Sequence, residues 1–175
     1  MKNAFWNADK IVSLSAILIS LATMGIYLYQ THLIKKQQFA SVMPYLMTSL
    51  SAYNNNHFLV EVYNNGLGPA FVEKVNVKYE GKSYQDCDLP TFFGRYNKKD
   101  TINNMTWSNI ISGQLIPSGN VIKTVEINNN RKEAQKLQKY FWTDKPVELE
   151  ITYSSIYGEK WIVKGSFAKP QKLDD

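Results

Sequence analysis

Apolar and polar positions alternate along most of the chain after residue 44, and this period of two predicts β-strands. In residues 57–63, Phe58, Val60 and Val62 share one face, and in residues 71–79 Phe71 shares a face with Val75 and Val77. Further strand-like runs cover residues 44–53, 105–111, 120–127, 147–153 and 159–167. About seven short strands without βαβ alternation predict a mainly β domain: an antiparallel, Ig-like β-sandwich, or a small β-barrel as the alternative.

Two segments depart from the strand pattern. Residues 130–141 place Ala134, Leu137 and Phe141 at helical spacing opposite a charged face, which predicts one short amphipathic helix capped by an asparagine at 129 or 130. Residues 89–100 fit either a helical turn or an irregular loop. Residues 80–81, Glu-Gly, predict a hairpin turn.

The sequence NNGLGPA at residues 64–70 raises the question of a phosphate-binding loop. Such a loop needs a following helix whose N-terminal amides point at the anion, and here a strand follows. We therefore interpret it as a strand-to-strand connection. Asn64 and Asn65 tolerate a left-handed backbone, and Gly66 and Gly68 are expected to supply positive φ.

Residues 11–34 contain no Asp, Glu, Lys or Arg and exceed the roughly 20 residues that a helix needs to cross a bilayer. The segment is too long, and lacks the small-residue site, for a cleaved signal peptide, and it has no polar face that would suit a buried core helix. An uncleaved single-pass transmembrane helix is predicted. The expected membrane-interface anchors are Trp6, Lys10, Tyr27, Tyr29, Lys35 and Lys36.

The domain organisation follows from these segments. The predicted parts are an N-terminal tail (1–10), the transmembrane helix (11–34), a juxtamembrane junction (35–43), the β-sandwich (44–168) and a polar tail (169–175). Lysines flank both ends of the helix equally, so the orientation is nearly balanced. The KKQQ run at 35–38 and the lack of a possible disulfide favour a domain on the cytoplasmic side.

The net charge argues against nucleic-acid binding, and the surroundings of the one cysteine argue against a reactive thiol. The chain of 175 residues carries a net charge of +5, too small and too scattered to indicate nucleic-acid binding. The single cysteine, Cys87, lies between Asp86 and Asp88, which raise its pKa and favour an ordinary thiol over a reactive one.

Catalytic patterns are absent from the sequence. His32 and His57 are not spaced as a metal pair, and there is no HExxH, GxSxG, P-loop or CxxC motif. Asp86 and Asp88 are interpreted as solvating a loop rather than binding calcium. We therefore predict no enzyme activity, no cofactor and no metal. A membrane-bound hydrolase would need a site assembled from residues distant in sequence.

One region combines aromatic and basic residues as partner and nucleotide sites do. The alternative is a long loop whose aromatic rings pack back onto the sandwich. The candidate residues are Phe92, Phe93, Arg95, Tyr96, Lys98, Lys99 and Trp107.

Three local patterns are shared with known proteins. They are the N-x-G-x-G-P-A stretch at 64–70, an I-P-x-G stretch at 116–119 before a strand, and an I-x-Y-x-x-x-Y-G hairpin at 151–158. In this order, behind one N-terminal membrane helix, they resemble a loose group of bacterial single-pass membrane-anchored β-sandwich proteins. The resemblance covers about half of the chain. It implies fold and topology, a place in the bacterial inner membrane, and no assigned activity or functional residues.

Two functions remain open from the sequence. The first is a non-enzymatic, membrane-tethered β-sandwich that mediates protein–protein contacts or assembly, self-association included, with the lipid bilayer and other proteins as partners. The alternative is a ligand-gated effector of a bacterial defence system, which senses a nucleotide and disrupts the membrane. Both use the candidate residues at 92–107.

Overall fold

The computed structural model describes residues 7–97 and 100–173, and it divides into a long N-terminal helix and a β domain that begins at Val42. The helix, α1, spans Ala8–Ser41, and its most apolar window has a mean hydropathy of 2.1. Its length and composition suit a membrane span, although a signal sequence meets the same test. The helix continues through most of the predicted junction at 35–43.

The hydroxyl groups of α1 form hydrogen bonds within the helix. Ser13, Ser20 and Thr23 each donate to the carbonyl oxygen four residues earlier, at 2.7, 2.8 and 2.8 Å. Because these donors are satisfied inside the helix, they cost little in an apolar surrounding.

The domain consists of two antiparallel sheets. One contains four strands in the order β1-β2-β7-β5; the other has the order β10-β9-β8-β3-β4, with β6 also pairing with β3. The strands are β1 Leu46–Tyr53, β2 His57–Asn64, β3 Ala70–Tyr79, β4 Lys82–Tyr84, β5 Met105–Trp107, β6 Leu115–Ile116, β7 Val121–Ile127, β8 Glu148–Ser154, β9 Lys160–Lys164 and β10 Gln171–Leu173. The mainly β, sandwich-like prediction is confirmed, and the strands of the described part do not close into a barrel.

The core follows the predicted alternation, with one correction in β3. Phe58, Val60 and Val62 of β2 are fully buried. In β3, however, the register with β8 shifts between Val72 and Lys74. A β-bulge adds one residue to β3, so the residues before the bulge face the opposite side of the sheet from the one that the alternation predicts. Val72 is therefore buried, and Phe71 lies at the surface. The prediction that Phe71 faces the core was wrong for this reason.

The predicted amphipathic helix is present as α3, Arg131–Phe141. Asn130 is the N-cap, and its side chain accepts a hydrogen bond from the backbone N–H of Glu133 at 3.2 Å. Phe141 packs against Phe58 of β2, with ring centroids 5.6 Å apart. The helix thereby closes one side of the core.

Two further features of the β domain are a hairpin turn after β3 and an edge strand near the C-terminus. Glu80 and Gly81 have φ of 49° and 77°, which fits the two-residue hairpin turn predicted there. Near the C-terminus, Gln171–Leu173 pairs with β9 as an edge strand, within the segment expected to be a polar tail.

The glycines of NNGLGPA serve a different purpose from the predicted one. Gly66 and Gly68 do not have positive φ. A Cβ on Gly66 would overlap the backbone of residues 43–45, and a Cβ on Gly68 would lie 2.5 Å from the carbonyl carbon of Val42 and overlap its oxygen. These glycines are required because the loop packs directly on the backbone where the domain begins.

Asn64 holds this contact in place, and its side chain is fully buried. Its Oδ1 accepts hydrogen bonds from the N–H groups of Tyr45 and Gly66, both at 3.0 Å. Its Nδ2 donates to the carbonyls of Gly68 at 2.8 Å and Ile116 at 3.1 Å. One amide therefore joins the first residues of the domain, the loop and β6.

Candidate functional site

The region at 89–107 begins with a short helical segment that separates the candidate residues into two groups. It consists of α2, Leu89–Thr91, followed by a π-helical turn over Phe92–Tyr96. The sequence left this segment open between a helical turn and an irregular loop, and the helical alternative is the correct one.

Phe92 and Phe93 belong to the core rather than to a surface, which corrects their place among the candidate residues. They are 1% and 5% exposed. Phe92 packs edge-on against Tyr79 and Phe93 against Tyr140, with centroids 5.6 and 5.3 Å apart. The helical turn directs both rings inward, where burial of large apolar surface stabilises the fold.

Asp88 positions the helical segment, and the prediction that it solvates a loop was wrong. The residue is buried, and its Oδ1 accepts from the N–H of Thr91 at 3.0 Å as the N-cap of α2. Its Oδ2 accepts from Asn109 Nδ2 at 2.9 Å and from the N–H of Ile110 at 3.0 Å. An Asp two residues before a proline is a cap signal that the sequence did offer.

Arg95, Tyr96 and Trp107 form the exposed group. The Arg95 guanidinium lies 5.7 Å from the centroid of the Tyr96 ring, and that ring packs on Tyr84 with centroids 5.1 Å apart. Trp107, on strand β5, is 58% exposed. Lys98 and Lys99 lie outside the described residues.

A cleft of about 420 Å³ lies between the helical segment and residues 101–107, within the size range of ligand pockets. Its walls combine the rings of Phe93 and Trp107 with amide and hydroxyl side chains, and none of the described lining residues is charged. The polar side chains that line it belong to Asn97, Thr101, Asn103 and Asn104.

Helix α3 fixes the far wall of this cleft. Glu133 Oε2 accepts from the N–H of Asn103 at 2.8 Å, and Lys136 Nζ donates to the carbonyl of Thr101 at 3.2 Å. The bond from Asn103, together with the Lys136 ammonium 2.9 Å away, holds the pKa of the Glu133 carboxyl below its usual value. The sequence missed both residues because a charged helical face is normally solvated.

Tyr140 of α3 also holds the cleft wall formed by residues 100–104. Its hydroxyl donates to Asp100 Oδ2 at 2.9 Å, and burial raises its pKa to about 12, so it remains a neutral donor at physiological pH. With Glu133 and Lys136 it gives the segment at 100–104 three attachments to α3. The cleft is consequently held by side chains rather than by strand pairing alone.

His57, Glu126 and Cys87 lie in structural rather than cleft-lining positions. His57 Nε2 lies 3.1 Å from Glu126 Oε1, and this hydrogen bond lowers the pKa of Glu126. Burial, and then the neighbouring Asp88, raises the pKa of the Cys87 thiol to about 11. Within residues 7–97 and 100–173, no three His, Cys, Asp or Glu side chains are grouped as a metal site requires.

The predicted membrane-interface residues can be located on α1, except for Trp6, which lies outside the described residues. Tyr27 and Tyr29 are 67% and 65% exposed, and they precede Lys35 and Lys36 on the same helix. Lys10 lies in the first turn of the helix. Their role as anchors stays a prediction.

Comparison of the chain with protein-family models and with curated protein sequences finds no match. The class of the molecule therefore rests on its own architecture, which is a long apolar N-terminal helix followed by an antiparallel β domain.

Proposed function

We propose that this protein is a non-enzymatic membrane protein whose α1 anchors a β domain that binds other proteins, and that the exposed Trp107 with the cleft beside it is the contact surface. The observation that supports the proposal most directly is an exposed tryptophan on a wall braced by α3. Trp is among the residues that dominate binding energy at protein interfaces. A rigid wall lowers the entropy lost on binding.

The partners of the titratable groups in the domain support the non-enzymatic part of the proposal. Asp88 caps α2, Glu133 holds the cleft wall, and His57 pairs with Glu126. Each of these groups has a structural partner and none lines the cleft. Catalytic groups usually lie in a cleft with their reactive atoms accessible to substrate. We propose no cofactor and no metal for the same reason.

The composition of the cleft also favours a protein over a nucleotide. Phosphate recognition uses Arg, Lys or several convergent backbone amides, and no charged residue is among the described residues that line the cleft. Arg95 instead lies over the Tyr96 ring. The alternative of a nucleotide-gated, membrane-disrupting effector of bacterial defence has no corresponding observation in its favour.

Localisation is part of the proposal. We place the helix in the inner membrane of a bacterium and the domain on the cytoplasmic side. The lysines at 35–36, immediately after the apolar segment, and the single buried Cys87 support this side. Self-association of the domain is one form of the proposed protein contact.

Replacing Trp107 by the photo-crosslinking residue benzoylphenylalanine tests this surface. Trp142 provides a matched control because both side chains are 58% exposed. In illuminated native membranes, we expect a discrete adduct from position 107 and none from position 142. Two differently tagged copies show whether the adduct is a self-contact. No adduct at 107, or the same adducts at both positions, would contradict the proposed surface.

A further inference from the structure

The end of the domain at which the chain enters carries an unusual set of loops. We call this the entry end and define it as residues 42–45 with loops 64–69, 111–120 and 155–158. Hydrogen bonds and strand register join them: Ser118 Oγ donates to the carbonyl of Gly66 at 2.6 Å, and Phe71 pairs with Leu115 on one side and with Ser154 on the other. The loops therefore form one continuous surface.

The entry end has no charged residue in its loops but several exposed apolar side chains. Residues 64–70, 110–120 and 154–158 contain no Asp, Glu, Lys or Arg. Among the described residues, the charged side chains that border them are paired with one another, Lys172 with Glu159 at 2.7 Å and Lys160 with Glu73 at 3.3 Å. The exposed apolar side chains in these loops are Leu67, Ile111, Leu115, Ile156 and Tyr157, and Phe71 lies exposed beside them.

The opposite end of the domain differs in charge. Its connections at 80–81, 85–88 and 142–145 contain Glu80, Asp86, Asp88, Asp144 and Lys145. A large contiguous apolar patch on the surface of a domain marks an interaction site. The entry end therefore differs from the opposite end in the absence of charged residues from its loops.

The short connection between the apolar segment and the domain indicates that the environment of the entry end is the membrane surface. The apolar segment ends at residue 34, and the domain begins at Val42. Residues 35–41 are helical, so they extend about 10 Å along the helix axis. The headgroup layer of a bilayer is about 5 to 7 Å thick on each side. If α1 spans the membrane, the entry end of the domain must start close to the outer boundary of the headgroups.

We propose that the entry end lies against the headgroup region of the bilayer in which α1 is anchored, with Leu67, Ile156 and Tyr157 in contact with lipid. This inference rests on the proposed membrane anchoring. Leu67 is 73% exposed in the loop that packs on Met43, and Ile156 and Tyr157 occupy the tip of the β8–β9 hairpin. Aliphatic and tyrosine side chains suit the interfacial layer, where the tyrosine hydroxyl remains hydrated.

Lipid explains this surface better than a second copy of the chain does. Protein interfaces normally place polar and charged groups around an apolar centre to fix orientation. Here the loops carry no such charges, and Lys160, Lys172, Glu73 and Glu159 at the border are already paired. A bilayer requires no fixed partner geometry, and the short connection keeps it within reach.

The test uses the full chain in phosphatidylcholine–phosphatidylglycerol nanodiscs with an environment-sensitive fluorophore at one introduced cysteine. The variants are Leu67→Cys, Ile156→Cys and, as the control, Tyr53→Cys, which is 62% exposed at the end of β1 away from the entry end. Ile19→Cys reports on the helix itself. Cys87 is buried, and labelling of the unmodified chain checks that it stays unreactive.

Lipids with a nitroxide near the headgroup should cause a loss of fluorescence at positions 67 and 156 but not at position 53, where aqueous iodide should quench instead. Quenching at 19 without lipid quenching at 67 and 156 would overturn the inference and leave the anchoring intact. Protection of 67 and 156 from both quenchers would mean that protein covers them, which also overturns it. At position 19, near the bilayer centre, the quencher is a lipid with its nitroxide deep in the acyl chain, and no quenching there would refute the anchoring and the inference together.

Discussion

Asn64→Ala is expected to lower the free energy of unfolding by about 3 to 5 kcal/mol, because each buried polar group that loses its partner costs about 1 to 3 kcal/mol. The variant leaves the N–H groups of Tyr45 and Gly66 and the carbonyls of Gly68 and Ile116 without their side-chain partner. Denaturant unfolding of detergent-solubilised full chain, followed by tryptophan fluorescence, measures the change.

Asn65→Ala is the matched control for this prediction. The neighbouring side chain is exposed, and its only described hydrogen-bond contact is a 4.0 Å approach to the Met47 sulfur. The backbone N–H of Asn65, which donates to the Tyr45 carbonyl at 2.9 Å, is retained in the variant. A change below about 0.5 kcal/mol is expected. Equal effects of the two substitutions would refute the role assigned to the Asn64 amide.

Gly68→Ala is expected to destabilise the domain by at least about 3 kcal/mol, at the upper end of overpacking costs. The new Cβ would meet the carbonyl group and Cα of Val42, which are backbone atoms and cannot move aside as a side chain can. Relief requires residues 42–45 to separate from the loop, and this would also break the bonds made by Asn64. The same unfolding measurement, or a failure to obtain folded protein, reports the effect.

Gly94→Ala separates this steric effect from a general cost of replacing glycine. A Cβ on Gly94 would project into open space, with no tertiary neighbour within 4 Å, and Gly94 has no positive φ. Its substitution should change stability by less than about 0.5 kcal/mol. If Gly68→Ala were tolerated as well as Gly94→Ala, the close approach at the start of the domain would be incorrect.

The alternation of apolar residues was sufficient to predict the two-sheet architecture, since half-buried antiparallel strands repeat with a period of two. It failed at Phe71 because a bulge shifts the register of β3, and a bulge depends on how the partner strand is aligned. The helical spacing of Ala134, Leu137 and Phe141 predicted α3 correctly. What that spacing could not show is that Glu133, on the same helix, reaches the segment at 101–104.

The candidate site was predictable as a region but not residue by residue. Aromatic and basic composition drew attention to 92–107, yet the same composition describes both a core and a surface. Only the orientation imposed by Asp88 and the helical segment separates buried Phe92 from exposed Trp107. Likewise, a glycine needed for positive φ and a glycine needed for close approach look the same in a sequence, as Gly68 illustrates.

We expect an uncleaved α1 to hold a self-contained β domain at a membrane. Alkaline extraction of membranes from cells that express either the full chain or a chain lacking residues 1–36 tests this expectation. The full chain should stay in the membrane pellet at its full mass, while the shortened chain should be soluble and unfold cooperatively. Release of the full chain by alkali, its recovery as a product cleaved after the apolar segment, or aggregation of the shortened chain would show that α1 is not such an anchor or that the domain is not self-contained.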